Sequence, residues 1–352
     1  MNFALVGCGR IASKHCEALS KHLDSTTLIA VCDTDPVRAE NTGKQYGVKW
    51  YTQYHEMMEK HPELDVVNIL TPSGLHCQHV LDLAPYGKHL VVEKPMALTL
   101  PDAEKMLRAC DEAGVQLFVV KQNRTNPPIL KLREALVAGR FGKLVMGTVR
   151  VRWCRNQNYY DQDSWRGTWA MDGGVLMNQA SHHVDLLTWM MGDVDSVFAY
   201  SATRLVKIET EDTAVAVLRF HNGALGIVEA TTAARPIDLE GSISILGENG
   251  AVEVGGFAVN EIKTWNFKDS SAEETTNAKK IVETPPNVYG YGHVNYLANV
   301  VKSIRTRKLS AVDGIEGMKS LILINAMYES METGRDVPLL FQPKNVRLGR
   351  TG

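Results

Sequence analysis

The chain has 352 residues, and its 38 Lys+Arg against 40 Asp+Glu leave a formal net charge of −2. Near-balanced charge and 44% hydrophobic content predict an ordinary folded protein of about two domains. They argue against nucleic acid or a membrane surface as the main partner, and no apolar stretch is long enough to span a bilayer. The six cysteines (Cys8, Cys16, Cys32, Cys77, Cys110 and Cys154) form no C-x-x-C pair. Several lie in apolar patterns, which predicts buried free thiols, a cytoplasmic setting and no metal site. Because the chain opens on a core strand, no secretory leader is expected.

Asn2–Val6 is a short apolar run that leads straight into Gly7-Cys8-Gly9-Arg10-Ile11-Ala12, a G-x-G-x-x-A turn. In such a turn Gly7 permits the bend, Gly9 lets a pyrophosphate approach the backbone, and Ala12 lets the helix pack on the strand. Arg10 and Ile11 then sit at a helix N-terminus that faces the phosphates. Thr27–Cys32 is a second apolar run, closed by Asp33, 26 residues beyond Gly7. A carboxylate at this point binds the adenosine ribose hydroxyls and repels a 2′-phosphate, which predicts NAD as the cofactor. Asp35 caps, and Pro36 begins, the helix that follows. Arg38 on that helix either stacks on adenine or stands in solvent.

Further apolar strands are expected at 65–70, 89–93 and 116–120, with a helix over 99–113 closed by Gly114. Nearly all-apolar strands separated by helices predict a parallel sheet covered on both faces, a Rossmann domain over 1–121. After Asn126-Pro127-Pro128 a helix over 129–138 follows, and then the pattern changes. Residues 144–153 alternate as a half-exposed strand. The pairs 214–220 with 224–230, and 242–246 with 251–254, read as hairpins whose Asn-Gly turns supply positive backbone angles. The polar stretch 268–280 reads as an exposed loop or hairpin end, and helices are expected at 294–305 and 315–331. The fold class is therefore α/β: a Rossmann domain, then an α+β domain over 122–352 with a large open, mostly antiparallel sheet. An open sheet must cover its outer face, and self-association is one way to do so.

Three motifs fall where strand ends face a cofactor. Thr71-Pro72-Ser73 follows the third expected strand, with His76 one turn later. Glu93-Lys94-Pro95 follows the fourth, and a charged pair there is expensive to bury unless something needs it. Asp172-Gly173-Gly174 leads through Asn178 to His182, His183 and Asp185, expected as the start of one helix running to Trp189. Asn178 and His182 are four apart and share a face of that helix. A histidine near neutral pKa is a natural acceptor for an alcohol proton, whereas His183 reads as a core residue. Arg124, Arg152, Arg155 and Arg166 cluster in sequence with Tyr159, Tyr160 and Trp165, a set suited to phosphate, carboxylate and sugar or uracil faces. Gln122, Tyr289, Tyr291 and His293 are further candidate site-lining residues.

Together these motifs resemble the Gfo/Idh/MocA oxidoreductase family over nearly the whole chain. The resemblance implies oxidation of a sugar or cyclitol hydroxyl with tightly held NAD(P), a tetramer, and Lys94 and His182 in the positions of the catalytic lysine and histidine. The chain departs from the family pattern at Asn178, where aspartate is usual, and at Ala180, where glycine is usual. A neutral amide cannot accept a proton, so Asn178 is left to orient or hydrogen-bond substrate. Lys121–Pro128, Trp165–Trp169 and Asn178–His183 resemble one branch in particular. That branch oxidises the C-3′ hydroxyl of UDP-N-acetylglucosaminuronic acid on the way to a diacetamido-uronic acid of surface polysaccharide. Such a substrate implies roles for Gln122, Arg124, Tyr160, Arg166, Asn178 and Tyr291 in binding it. In the implied reaction His182 takes the hydroxyl proton while Lys94 hydrogen-bonds the same oxygen. The rivals are a dehydrogenase of an inositol or free sugar, and a catalytically silent NAD-binding regulator of the same fold.

Overall fold

The structure is a computed structural model that describes residues 1–282, 292–308 and 312–339. The chain divides into two compact units, Met1–Lys121 with His293–Met318, and Gln122–Gly292 with the chain from Lys319 onward. The first boundary falls after residue 121. The expected second domain is interrupted, because residues 293–318 belong with the first unit.

The first unit is built on a parallel six-stranded sheet of order β3-β2-β1-β4-β5-β6. Its strands are β1 (Asn2–Val6), β2 (Thr27–Cys32), β3 (Lys49–Tyr51), β4 (Val66–Ile69), β5 (His89–Val92) and β6 (Leu117–Val119). The central strands are buried along nearly their whole length, which is why they read as unbroken apolar runs. The crossover helices are α1 (Ala12–Glu17), α2 (Pro36–Tyr46), α3 (Tyr54–Lys60), α4 (His76–Leu83) and α5 (Leu100–Glu112). The Asp35 side chain caps α2 by accepting from the Val37 and Arg38 amides, and Thr99 caps α5 by accepting from Asp102 N. The strand order reverses between β1 and β4, and ligands of such sheets bind beyond the strand ends at that point. The core joins Phe3, Leu5, Val31, Val66, Val91 and Phe118 to Tyr296, Leu297 and Val300. These last three lie on α10 (Gly292–Thr306), a helix from the far end of the chain.

The second unit opens with a short turn at Gln122–Thr125 and α6 (Pro127–Val137). Among the described residues its sheet has eight strands. They are β7 (Leu144–Arg152), β8 (Val194–Ala202), β9 (Thr213–Phe220), β10 (Leu225–Thr231), β11 (Glu240–Gly247), β12 (Gly250–Gly255), β13 (Glu261–Phe267) and β14 (Val337–Pro338). Their order is β13-β12-β11-β7-β10-β9-β8-β14, antiparallel except for β7 beside β10. α7 (Gln157–Tyr160), α8 (Ser181–Met191), α9 (Ala272–Lys279) and α11 (Gly314–Thr333) complete the described helices. α8 covers the inner face, where Gly147 leaves room for Leu187 and Met191: a Cβ there would meet Met191 Cγ at 2.7 Å. On the opposite face Tyr200, Val215, Val217 and Leu225 are exposed and lie on adjacent strands in register.

Three expectations are corrected here. The polar stretch 268–280 contains α9, whose cap is the Ser271 hydroxyl accepting from Glu274 N. The segment before α8 is a series of turns, and the helix itself begins only at Ser181. Gly223 has the positive φ expected of its hairpin (+84°), but Gly250 does not. Gly250 is needed for close approach, since a Cβ would lie 2.2 Å from the Phe267 ring.

Candidate active site

In the first unit the glycine turn has one crowded and one open glycine. Gly7 has φ +105°, and a Cβ would meet the Leu70 carbonyl carbon at 2.7 Å, so the end of β4 closes over it. Gly9 has no atom within 4 Å of its Cβ position, which leaves the backbone open to a ligand. Arg10 is exposed beside it, and Ile11 stands at the start of α1. Asp33 Oδ2 accepts from Cys8 N at 2.7 Å, and Oδ1 accepts from Asp35 N at 2.9 Å. The carboxylate therefore ties the glycine turn to the end of β2. These features fit a dinucleotide: an open glycine edge, a helix N-terminus and a fixed carboxylate. Arg38 is half-exposed, with Nε 3.4 Å from Asp35 Oδ2.

The other first-unit candidates bind one another. Pro72 O accepts from Leu75 N, and Thr71 Oγ1 lies 2.9 Å from His79 Nδ1. His76 is buried between two carbonyls, with Nδ1 2.8 Å from Pro95 O and Nε2 2.8 Å from Thr71 O. Burial pushes its pKa down, partly offset by those carbonyls. His76 thus fastens the loop after β4 to the loop after β5. Glu93, expected in the cofactor set, is buried. Its carboxylate turns inward, with Oε1 2.9 Å from His15 Nε2 and 3.3 Å from His293 Nε2, while Oε2 accepts from Lys94 N at 3.1 Å. His293, expected to line the substrate site, instead serves this cluster. The ligand atoms of His15, Glu93 and His293 lie within 4.8 Å of one another, a donor set of the kind that holds a metal. Lys94 follows at once, half-buried.

In the second unit Gln122, Asn178 and His182 are each held by a named partner. Gln122 Nε2 lies 3.1 Å from His182 Nε2, and both side chains are buried. Gln122 Oε1 is buried and without a hydrogen-bond partner. Asn178 Nδ2 donates to Asp172 Oδ1, and Asp172 Oδ2 accepts from Gly167 N at 2.8 Å. Asp172 thereby joins the Asn178 turn to the loop that carries Arg166. Behind that turn Glu211 accepts from Leu176 N at 3.0 Å and from the Tyr328 hydroxyl at 2.8 Å. A Cβ on Gly174 would lie 2.0 Å from Glu211 Oε2, so only glycine fits there. Burial pushes Glu211 up to about 7. Asp172 stood out in the sequence only as the start of a motif, with no role given to it, and Glu211 was not singled out. The crowded Gly173-Gly174 pair was the one available signal.

The expected substrate residues divide. Arg124 is taken up by Asp185, with Nε 2.7 Å from Oδ2 and Nη2 2.8 Å from Oδ1, and its guanidinium lies 4.9 Å from the Trp189 ring. This pair ties the Gln122–Thr125 turn to α8. Tyr160 is buried, its hydroxyl 3.1 Å from Thr232 Oγ1. Arg166 donates to Asp163 at 3.0 Å and to the Tyr159 hydroxyl at 3.0 Å, and it packs against Trp165. Arg155 pairs with Asp238, and Arg152 with Glu229 and Glu240. Tyr289 and Tyr291 fall outside the described residues. His183 is buried in the core, as its apolar setting suggests.

Residues 1–121 match the family model for the NAD-binding Rossmann fold of an oxidoreductase family, and residues 133–339 match the C-terminal alpha/beta domain of the same family. The chain belongs to the Gfo/Idh/MocA oxidoreductases and is an NAD-dependent enzyme of that family. It is 44% identical to the WlbA dehydrogenase of Bordetella pertussis, solved with NADH and UDP-GlcNAcA; the match covers 96% of this chain and 97% of that one, with a TM-score of 0.91. It is 45% identical to the WlbA dehydrogenase of Chromobacterium violaceum, solved with the same two ligands, over 96% and 95% of the two chains with a TM-score of 0.89. The myo-inositol 2-dehydrogenase of Thermotoga maritima is 29% identical over 345 residues, 96% of this chain and 98% of that protein.

Proposed function

We propose that this chain oxidises the C-3′ hydroxyl of UDP-N-acetylglucosaminuronic acid to the 3-keto sugar, as a cytoplasmic homotetramer serving synthesis of a surface diacetamido-uronic acid. The observation that carries the substrate assignment is the likeness to two dehydrogenases solved with that nucleotide sugar, at 44% and 45% identity. The exposed apolar face of the second unit's sheet supports the tetramer. NAD, held by Gly7, Gly9 and Asp33, supplies the hydride acceptor.

The chain's own residues then handle the proton and the charge. His182 accepts the hydroxyl proton at Nε2 once the substrate hydroxyl displaces the Gln122 N–H from that lone pair. Gln122 Oε1, buried and unpartnered, accepts from a substrate hydroxyl or amide. Asn178, fixed by Asp172, presents its carboxamide to the sugar. Lys94 donates to the oxygen as negative charge builds on it, a preorganised electrostatic role. Arg166, on its aromatic bed, meets the diphosphate or carboxylate.

A second reading, an inositol or free-sugar dehydrogenase, is favoured by the likeness to myo-inositol 2-dehydrogenase. Single-turnover absorbance of the NAD-loaded protein decides between them. Reduction with UDP-N-acetylglucosaminuronic acid supports the nucleotide sugar, and reduction with myo-inositol alone moves the substrate and keeps the chemistry.

A further inference from the structure

We infer that His15 and His293 are positioning residues for Lys94, acting together as a clamp on Glu93. The inference rests on the reading of Lys94 as the group that hydrogen-bonds the reacting oxygen. The two histidines come from opposite ends of the chain, on α1 and α10, and meet edge to face with ring centroids 5.1 Å apart. Both direct Nε2 at one oxygen of Glu93. The other oxygen receives the Lys94 backbone N–H. A carboxylate held by one oxygen can still swing about its terminal torsion; held at both, it cannot. The peptide that carries Lys94 is thereby fixed to the sheet.

The proton positions follow from the neighbours. Asn68 Nδ2 on β4 lies 3.0 Å from His15 Nδ1, and donation there places the imidazole proton on Nε2, facing Glu93. His293 Nδ1 is buried without a partner, so its proton also belongs on Nε2, where a carboxylate accepts it. Burial alone pushes the Glu93 pKa up. The donated hydrogen bonds from His15 and His293 outweigh it and hold the carboxyl well below its usual range. Burial pushes His15 the other way, towards the neutral form. Two imidazole N–H donors thus face one carboxylate oxygen. A zinc ion at the same three ligands requires both Nε2 atoms stripped of hydrogen, which reverses the His15 tautomer set by Asn68.

The clamp matters because a lysine on a mobile peptide loses its aim. A displacement near 1 Å at a catalytic group lowers turnover on the order of a hundredfold. His293 offers a clean test, since its Nδ1 bonds nothing and glutamine places an amide N–H where Nε2 stands. His293→Gln is expected to keep most of the turnover. His293→Leu removes the donor and is expected to lower kcat about tenfold or more, with KM for NAD and substrate shifted less than about threefold. Should the leucine variant fail to fold, Glu93→Gln substitutes for it. Its Oε1 still accepts from both imidazoles, but its amide nitrogen now opposes Lys94 N–H, so kcat falls in the same way.

Lysine-selective nitrogen labelling adds a readout independent of substrate. The Lys94 amide proton lies downfield in wild type and His293→Gln, and moves upfield in His293→Leu and Glu93→Gln. The clamp is overturned by unchanged kcat in His293→Leu, by equal losses in the glutamine and leucine variants, or by one zinc per chain in the purified protein. If wild type reduces no cofactor with UDP-N-acetylglucosaminuronic acid, the substrate assignment falls while the Lys94 resonance still reports the clamp.

Discussion

Gln122 directs its side-chain nitrogen at His182 Nε2 across 3.1 Å, and in doing so sets which imidazole nitrogen carries the lone pair. An amide N–H donates, so Nε2 carries the lone pair and Nδ1 carries the proton. That tautomer is the one the proposed proton transfer needs, with the substrate hydroxyl taking the place of the Gln122 donor. His182→Asn is expected to lower kcat about 10²- to 10⁴-fold while NADH still binds, because only the proton acceptor is lost. Single-turnover rates with a fluorescence titration of NADH separate the two effects. Gln122→Leu is expected to cost less than His182→Asn. Equal rates for wild type and His182→Asn would remove His182 from the mechanism.

Asp33 spends both carboxylate oxygens on backbone N–H groups of its own unit. Asn in its place keeps one acceptor and opposes the second N–H with an amide donor. Asp33→Asn is therefore expected to weaken NADH binding about tenfold, each lost hydrogen bond to a charged group being worth about 1.5–3 kcal/mol. With the negative charge gone, the preference for NADH over NADPH narrows. Dissociation constants for the two reduced cofactors test this directly. An unaltered ratio would show that Asp33 serves the turn alone.

Arg124 and Asp185 form a two-pronged ion pair whose side chains are only 4% and 2% exposed. Removing one partner leaves the other charge buried and uncompensated. Arg124→Met is expected to destabilise the second unit by about 3–5 kcal/mol, and Arg124→Met/Asp185→Leu to recover much of that loss. Urea midpoints of the three proteins give the comparison. A loss of substrate affinity in Arg124→Met at unchanged stability would restore this arginine to the substrate site.

Glu211 gives the second unit a predictable pH dependence. Its carboxyl is raised in the folded state to about 7 from an ordinary value of 4.5, so the native form holds its proton more tightly than the unfolded chain does. Its contribution is fully present below the unfolded value and is lost as pH rises towards 7, a loss of about 3 kcal/mol. Thermal midpoints between pH 5 and 8 are expected to fall with rising pH in wild type, and to fall less in Glu211→Gln, which carries no ionisable group. Parallel pH curves for the two proteins would assign the slope elsewhere.

The first unit was largely legible in the sequence, for a local reason. Its central strands are buried on both faces and its glycine turn does its work within six residues, so neighbouring letters carry the signal. β3 was missed because Lys49-Trp50-Tyr51 is a short edge strand with two exposed residues. α9 was missed because it is polar on most sides and is marked chiefly by its Ser271 cap. The Arg124 ion pair was not legible because nearby arginines and aromatics resemble an anion site, while Asp185 lies 61 residues away. His15 was not weighed at all. One turn into a helix, nothing adjacent marks it, and its partner Glu93 lies 78 positions on. Contacts across such separations carry no local pattern.

The return of α10 to the first unit has a practical consequence for anyone wishing to borrow this nucleotide-binding module. It is no detachable cassette. Cutting the chain after Lys121 discards Tyr296, Leu297, Val300 and Val301 from the hydrophobic core, together with one of the two histidines on Glu93. A transplant or a split-protein design has to carry the 293–318 segment as well, either supplied in trans or joined by a new linker.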